Sequence, residues 1–184
     1  TKVQTVSVNP NAHHLLATAS LDRSIKIFDI RALSKGDQGS GAFKPLVTFN
    51  ESRSVNCATW SPDGEQLLAV TQSNYLRLFH KPQDQKGVLG AASAHVSVKH
   101  DNQTGRYLPV FHAQWDPKTN HSFVVGSMSQ PRKVEVFSSS GGQCKRIMAL
   151  QGDFLASVQS RNTFHPTQNI VVCGNASGRV HVFR

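Results

Sequence analysis

Cysteine, acid and long apolar runs are all scarce in this sequence. Its three cysteines, Cys57, Cys144 and Cys173, are odd in number and widely spaced, with no Cys-x-x-Cys pair. That excludes a disulfide framework and a paired-cysteine zinc site, and reads as reduced thiols in a reducing compartment. No stretch approaches the ~20 apolar residues of a membrane-spanning helix, so no membrane partner is expected. The nine histidines are scattered, and no His-Glu-x-x-His, Gly-x-Ser-x-Gly, phosphate-binding loop or Gly-x-Gly-x-x-Gly pattern occurs. The expectation is a protein that is not an enzyme and carries no cofactor or metal. Eleven acids face 20 lysines and arginines, a net charge of +9. Such an excess points to a polyanionic partner, with a merely solvated basic surface as the alternative. The sequence lacks an initiator Met and opens on the strand-like TKVQTVSV. It reads as a piece of a longer protein, in which a missing targeting segment carries little information.

What is present is a repeat. In LLATASLDRSIKIFDIR the apolar runs Leu15–Ala19 and Ile25–Phe28 flank the polar turn Asp22–Ser24, which predicts a hairpin. An Xaa-Pro turn precedes each copy of that unit, at Pro10, Pro62, Pro117 and Pro166, and each copy ends in an alternating strand closed by Phe28, Phe79, Phe137 or Phe183. The recurrence is about 50 residues, within the range of propeller blades. Extra short strands are expected at Pro45–Phe49, His95–Lys99 and Lys145–Leu150, and flexible connectors at Ser34–Gly41 and Ser138–Gly142. The period is then four strands, the period of a β-propeller blade. A lone four-stranded sheet exposes two apolar faces, and packing sheets side by side buries both. The expected architecture is all-β, one partial propeller of about four blades from a larger, seven-bladed ring. Its units fall roughly at 1–31, 44–80, 94–137 and 145–184, the first lacking its outer strand.

Phe28-Asp29 stands where WD-repeat proteins carry Trp-Asp, and over its whole length the sequence resembles a WD-repeat propeller. HDNQTGRYLPVFHAQWDP, VVGSMSQPRKVEVF, GNASGRVHVF and LATASLDRSIKIFDIR resemble, more narrowly, the damage-specific DNA-binding branch of that family. Phe replaces Trp in every unit, the Gly-His pair is missing, and Asp22 alone keeps the turn aspartate. The family's Asp–His–Ser/Thr–Trp network is therefore expected to be largely absent, leaving packing to hold the blades.

Topology places the outer-to-inner loops and the second-to-third-strand loops on one face. Arg106 and Tyr107, in the loop His100–Leu108, are candidates there: arginine pairs with phosphate, and tyrosine stacks on an unpaired base or wedges into a groove. The resemblance aligns Gly105, Arg106 and Tyr107 with a hairpin inserted into damaged duplex, and Lys2 with a DNA-contacting lysine. Arg23, Arg53 and Arg132 complete the DNA-binding candidates, with Lys99, His100, Lys133 and Arg161 nearby in the same reading. On the opposite rim, Phe28-Asp29-Ile30-Arg31 is similar to the W-D-x-R box of cullin-RING ligase substrate receptors. The resemblance implies that Asp29 and Arg31 bind the adaptor, damage-specific DNA-binding protein 1. It further implies a nuclear, chromatin-associated protein that binds damaged or base-modified DNA, hydroxymethylated cytosine being one candidate. A histone- or partner-binding scaffold that does not read DNA is the alternative.

Overall fold

The computed structural model describes residues 2–34, 44–105 and 107–184. Residues 35–41 of the first expected connector, and Arg106, lie outside them. The first sheet holds β1 (Val3–Val8), β2 (Leu15–Ser20), β3 (Ser24–Asp29) and β4 (Val47–Asn50). The second holds β5 (Val55–Trp60), β6 (Gln66–Thr71) and β7 (Tyr75–His80). Next along the chain is β8 (Gly87–Gly90), and then β9 (Val96–Lys99), which closes the second sheet. The third sheet is β10 (Gln114–Trp115), β11 (Ser122–Gly126), β12 (Val134–Ser140) and β13 (Gln143–Leu150). The fourth is β14 (Gln159–Phe164), β15 (Val171–Asn175) and β16 (Val180–Phe183). The described residues contain strands and short 3-10 turns, and no α-helix.

In the first three sheets an antiparallel meander ends in an outer strand bonded to the sheet's third strand: β4 to β3, β9 to β7 and β13 to β12. The strand that opens a repeat in sequence thus completes the preceding sheet. The three-stranded sheet is the last one, rather than the first as the repeat pattern suggested. Two further differences stand out. β8 adds to the first sheet as a fifth strand, parallel to β4. The stretch Ser138–Gly142 is no flexible connector: β12 runs through Ser140, and Gly141–Gly142, both at positive φ, make a two-residue hairpin into β13.

Packing between sheets explains the apolar alternation. Leu67 and Ala69 of β6 face the first sheet, where Ile25, Ile27, Val47 and Phe49 lie buried. Leu68 and Val70 face the third, against Phe123, Val125 and Phe137. A strand with neighbours on both faces reads as a continuous apolar run, as LLAVT does. Burying a Leu or Phe fully is worth about 1.5–3 kcal/mol, and Phe49, Phe79, Phe123, Leu67 and Leu68 are all fully buried. Phe79 joins two layers, its ring 4.3 Å from that of Phe49 in the first sheet, while Phe137 stacks at 5.4 Å on its cross-strand partner Phe123 within the third sheet. Inner strands are also bonded across sheets. Ala58 N donates to Thr5 Oγ1, Trp60 N to Ser7 Oγ, and Trp115 Nε1 to the Thr59 carbonyl oxygen. The two ends of the series are uncovered, with Val3, Val6 and Val8 exposed on β1 and Val180 and Val182 on β16.

A polar network also joins the sheets, beyond the packing expected. Glu51 follows β4 directly and, though buried, accepts from Arg77 Nε at 3.0 Å and from Ser73 Oγ at 3.3 Å. His100 follows β9 directly and brings Nε2 to 3.1 Å from Glu135 Oε2. Arg77 and Glu135 each stand two residues before a recurring phenylalanine, Phe79 and Phe137.

Candidate nucleic-acid interface

Antiparallel pairing brings the β2–β3, β6–β7 and β11–β12 turns to the same end as the loops entering β5, β10 and β14. Hydrogen bonds tie together the three segments that carry candidate cations there. Leu21 N donates to the Lys2 carbonyl oxygen, Glu51 N to that of Arg23, and Ser54 Oγ to that of Leu21. Lys2, Arg23 and Arg53 are all exposed, so their side chains present charge from three adjoining segments. Arg23 sits at φ 68°, the left-handed conformation of the tight β2–β3 turn.

The loop carrying Tyr107 is pinned at its base. Asn102 Nδ2 donates to the carbonyl oxygens of Thr71 at 3.0 Å and Tyr75 at 3.1 Å, while Asn102 N donates to Asn74 Oδ1. Its Oδ1 therefore accepts from His100 Nδ1, at 2.7 Å. Burial pushes the Glu135 carboxyl upward, but bonds from His100 and from Arg146 Nη1 at 2.6 Å outweigh it and hold the group at about 2. Above this base, Tyr107 is 90% exposed. A rigid base with a protruding ring is suited to stacking or wedging.

Other candidate cations are already engaged. Arg132 Nη1 donates to the Met128 carbonyl oxygen at 2.7 Å, and its Nε and Nη2 lie 3.2 Å from the Gln130 amide oxygen once that amide is oriented to accept. Lys133 Nζ lies 3.8 Å from Glu135 Oε1, its side chain only 15% exposed. Arg161 is exposed on β14 and lines a cavity of about 300 Å³ with His112, Gln114 and Thr163. There burial, and then the Arg161 charge, bring His112 down to about 4, so it is neutral at physiological pH.

Asp29 and Arg31 lie at the other end, beyond the far end of β3. They close on each other as a bidentate pair: Arg31 Nε to Asp29 Oδ1 at 2.9 Å and Nη2 to Oδ2 at 2.6 Å. The Arg31 side-chain bonds bring the Asp29 carboxyl down to about 2. Sequence reasoning missed Asn102, read as turn chemistry, and Phe154, 83% exposed in the β13–β14 loop. Among the described residues, no group of three or more His, Cys, Asp or Glu side chains is placed to hold a metal.

Four meander sheets packed side by side, with inner strands in mutual contact, are part of a WD-repeat β-propeller. The WD40 family model (WD domain, G-beta repeat) matches residues 1–29 and 43–80. The chain is similar along nearly all its length to WD repeat-containing protein 76: 38% identical over 99% of the chain in Mus musculus and 37% over 98% in Xenopus laevis. It is also 35% identical, over 97% of its length, to DNA damage-binding protein CMR1 of Chaetomium globosum. The chain spans only 28%, 29% and 34% of these relatives.

Proposed function

We propose that this chain belongs to a non-catalytic protein of the nuclear DNA-damage response, and that the end carrying Lys2, Arg23, Arg53 and Tyr107 contacts damaged or base-modified DNA. The observation that carries this reading is the convergence of three exposed cations from three bonded segments with a protruding tyrosine, in a chain of net charge +9. Relatives named DNA damage-binding protein support it. Arg106 belongs to the same proposal by its place in the sequence, and Arg132 contributes by shaping the β11–β12 loop. Mobility shifts across a salt series test the reading. Log affinity should fall by roughly 0.9 per phosphate contact for each tenfold rise in salt. Salt-independent retention, or none, contradicts it.

The opposite end is proposed to dock damage-specific DNA-binding protein 1 and, through it, a cullin-RING ligase. Exposed Arg31 at a strand end supports this. Adaptor pull-down should fail with Arg31→Ala, and unchanged recovery contradicts the docking proposal. The second reading, a histone- or partner-binding scaffold, is favoured by the engagement of Arg132 and Lys133 inside the protein.

A further inference from the structure

The first and third sheets treat the same edge differently. In the first, β8 lies along β4, pairing Gly87 with Val47 and Leu89 with Phe49. Val47 and Phe49 are fully buried there, and Leu89 packs into the core between the first two sheets. Ile27 pairs with Val47 and Ile25 with Phe49, just as Val136 pairs with Met148 and Val134 with Leu150. Ile27 and Val136 each precede a recurring phenylalanine, Phe28 and Phe137, so Met148 and Leu150 are the repeats of Val47 and Phe49. Yet β13 is the edge of its sheet, and no strand among the described residues lies along it. Met148 is 54% exposed and Leu150 half-buried. The register shift of β13 falls between Arg146 and Met148, ahead of this stretch. Beside it, a cavity of about 310 Å³ opens in the seam between the third and fourth sheets, its apolar wall made by Val136, Met148, Leu150, Phe164, Val171 and Phe183.

We propose that this seam docks an extended acidic segment of a partner protein, added along Met148–Leu150 as β8 is added along β4, with one leucine-sized side chain seated in the cavity. An open strand edge offers main-chain hydrogen bonds to any extended chain, and the adjoining pocket selects the side chain. The charges select the partner. Asp116 and Lys118, both on the cavity lining, neutralise each other, Nζ to Oδ1 at 2.7 Å. Arg184 on the lining and Lys145 on β13 are exposed, and no ion pair to either occurs among the described residues. The rim is therefore positive, and acidic residues flanking the apolar anchor complement it. This docking does not depend on the DNA-binding reading and stands or falls separately from it.

The test is fluorescence anisotropy of the full-length protein with labelled synthetic peptides. The reference probe carries the β8 core, Gly-Val-Leu-Gly, between glutamate flanks. Replacing its leucine by serine should weaken binding about tenfold, the loss expected when one buried leucine is removed. Methylating its main-chain nitrogens should abolish binding, because the edge hydrogen bonds are blocked. Lysine flanks in place of glutamate should weaken it at low salt. On the protein, Met148→Glu should abolish binding, and Lys145→Glu should remove the preference for acidic flanks. Both residues are exposed, and thermal melts confirm that the variants fold. Failure of the reference probe to bind overturns the proposal, as does binding that survives main-chain methylation or Met148→Glu. Self-association of the protein that Met148→Glu abolishes would assign the seam to a second copy of this chain and overturn the partner.

Discussion

Arg77 donates to buried Glu51 at 3.0 Å, and one repeat later the same two positions carry His100 and Glu135, with acid and base exchanged. In both pairs the first member follows an outer strand and the second lies on the third strand of the next sheet. Each pair therefore rivets one outer strand to its neighbouring blade.

Breaking one partner of such a pair strands the other. Arg77→Met should destabilise the protein by about 3–5 kcal/mol, because the Glu51 side chain is fully buried and loses its cation. The double variant Glu51→Met with Arg77→Met should be less destabilised than Arg77→Met alone. Urea denaturation of the single and double variants checks this, and additive losses contradict it.

The Glu135 pair carries a pH signature. Its carboxyl sits near 2 in the fold, below its ordinary 4.5. Its stabilisation is therefore fully present above pH 4.5 and is lost as pH falls through about 2. Glu135→Gln should lower stability by about 1.5–3 kcal/mol at pH 7, and the gap from the unsubstituted protein should close as pH approaches 2. Thermal melts from pH 7 to acid measure the gap.

At the opposite end, the turn between β5 and β6 is fitted to its neighbour. Gly64 sits at φ 69°, and a Cβ there would lie 2.3 Å from Asn9 Oδ1. Asn9 Nδ2 meanwhile donates to the Gly64 carbonyl oxygen at 2.9 Å. Gly64→Ala should cost more than about 1 kcal/mol, from backbone strain and from the displaced Asn9. Denaturant midpoints measure it, and an unchanged midpoint contradicts the fit.

Asn102 links stability to the proposed interface. Asn102→Ala removes the donor to two carbonyl oxygens and the acceptor of His100 Nδ1. It should destabilise by about 1–3 kcal/mol and weaken DNA binding through the Tyr107 loop. Anisotropy under folding conditions should show reduced affinity, and an unchanged affinity contradicts the link.

The strands were legible because burial on both faces leaves periodic marks: the Xaa-Pro turns, the apolar runs and the closing phenylalanines recur in every repeat. What escaped was decided by distant partners. β8, the four residues GVLG, carries two glycines and pairs in parallel across a long insertion, so nothing local marks it. Asp101-Asn102 has turn composition, and the sequence does not show that Asn102 reaches back to Thr71 and Tyr75. Arg132 and Lys133 look like Arg23 and Arg53 as charges, and the sequence does not show that the Met128 carbonyl and Glu135 engage them. Phe154 is a single aromatic in a loop, and one exposed ring has no period to betray it.

The central claim is that exposed cations from separate segments act together on DNA. The most direct test is the salt dependence of duplex binding for the intact protein and for a triple variant, Lys2→Ala, Arg23→Ala and Arg53→Ala. Three lost phosphate contacts should make the slope of log affinity against log salt shallower by roughly 2.7 and weaken binding at low salt. An unchanged slope and affinity in a variant that folds normally would contradict the account.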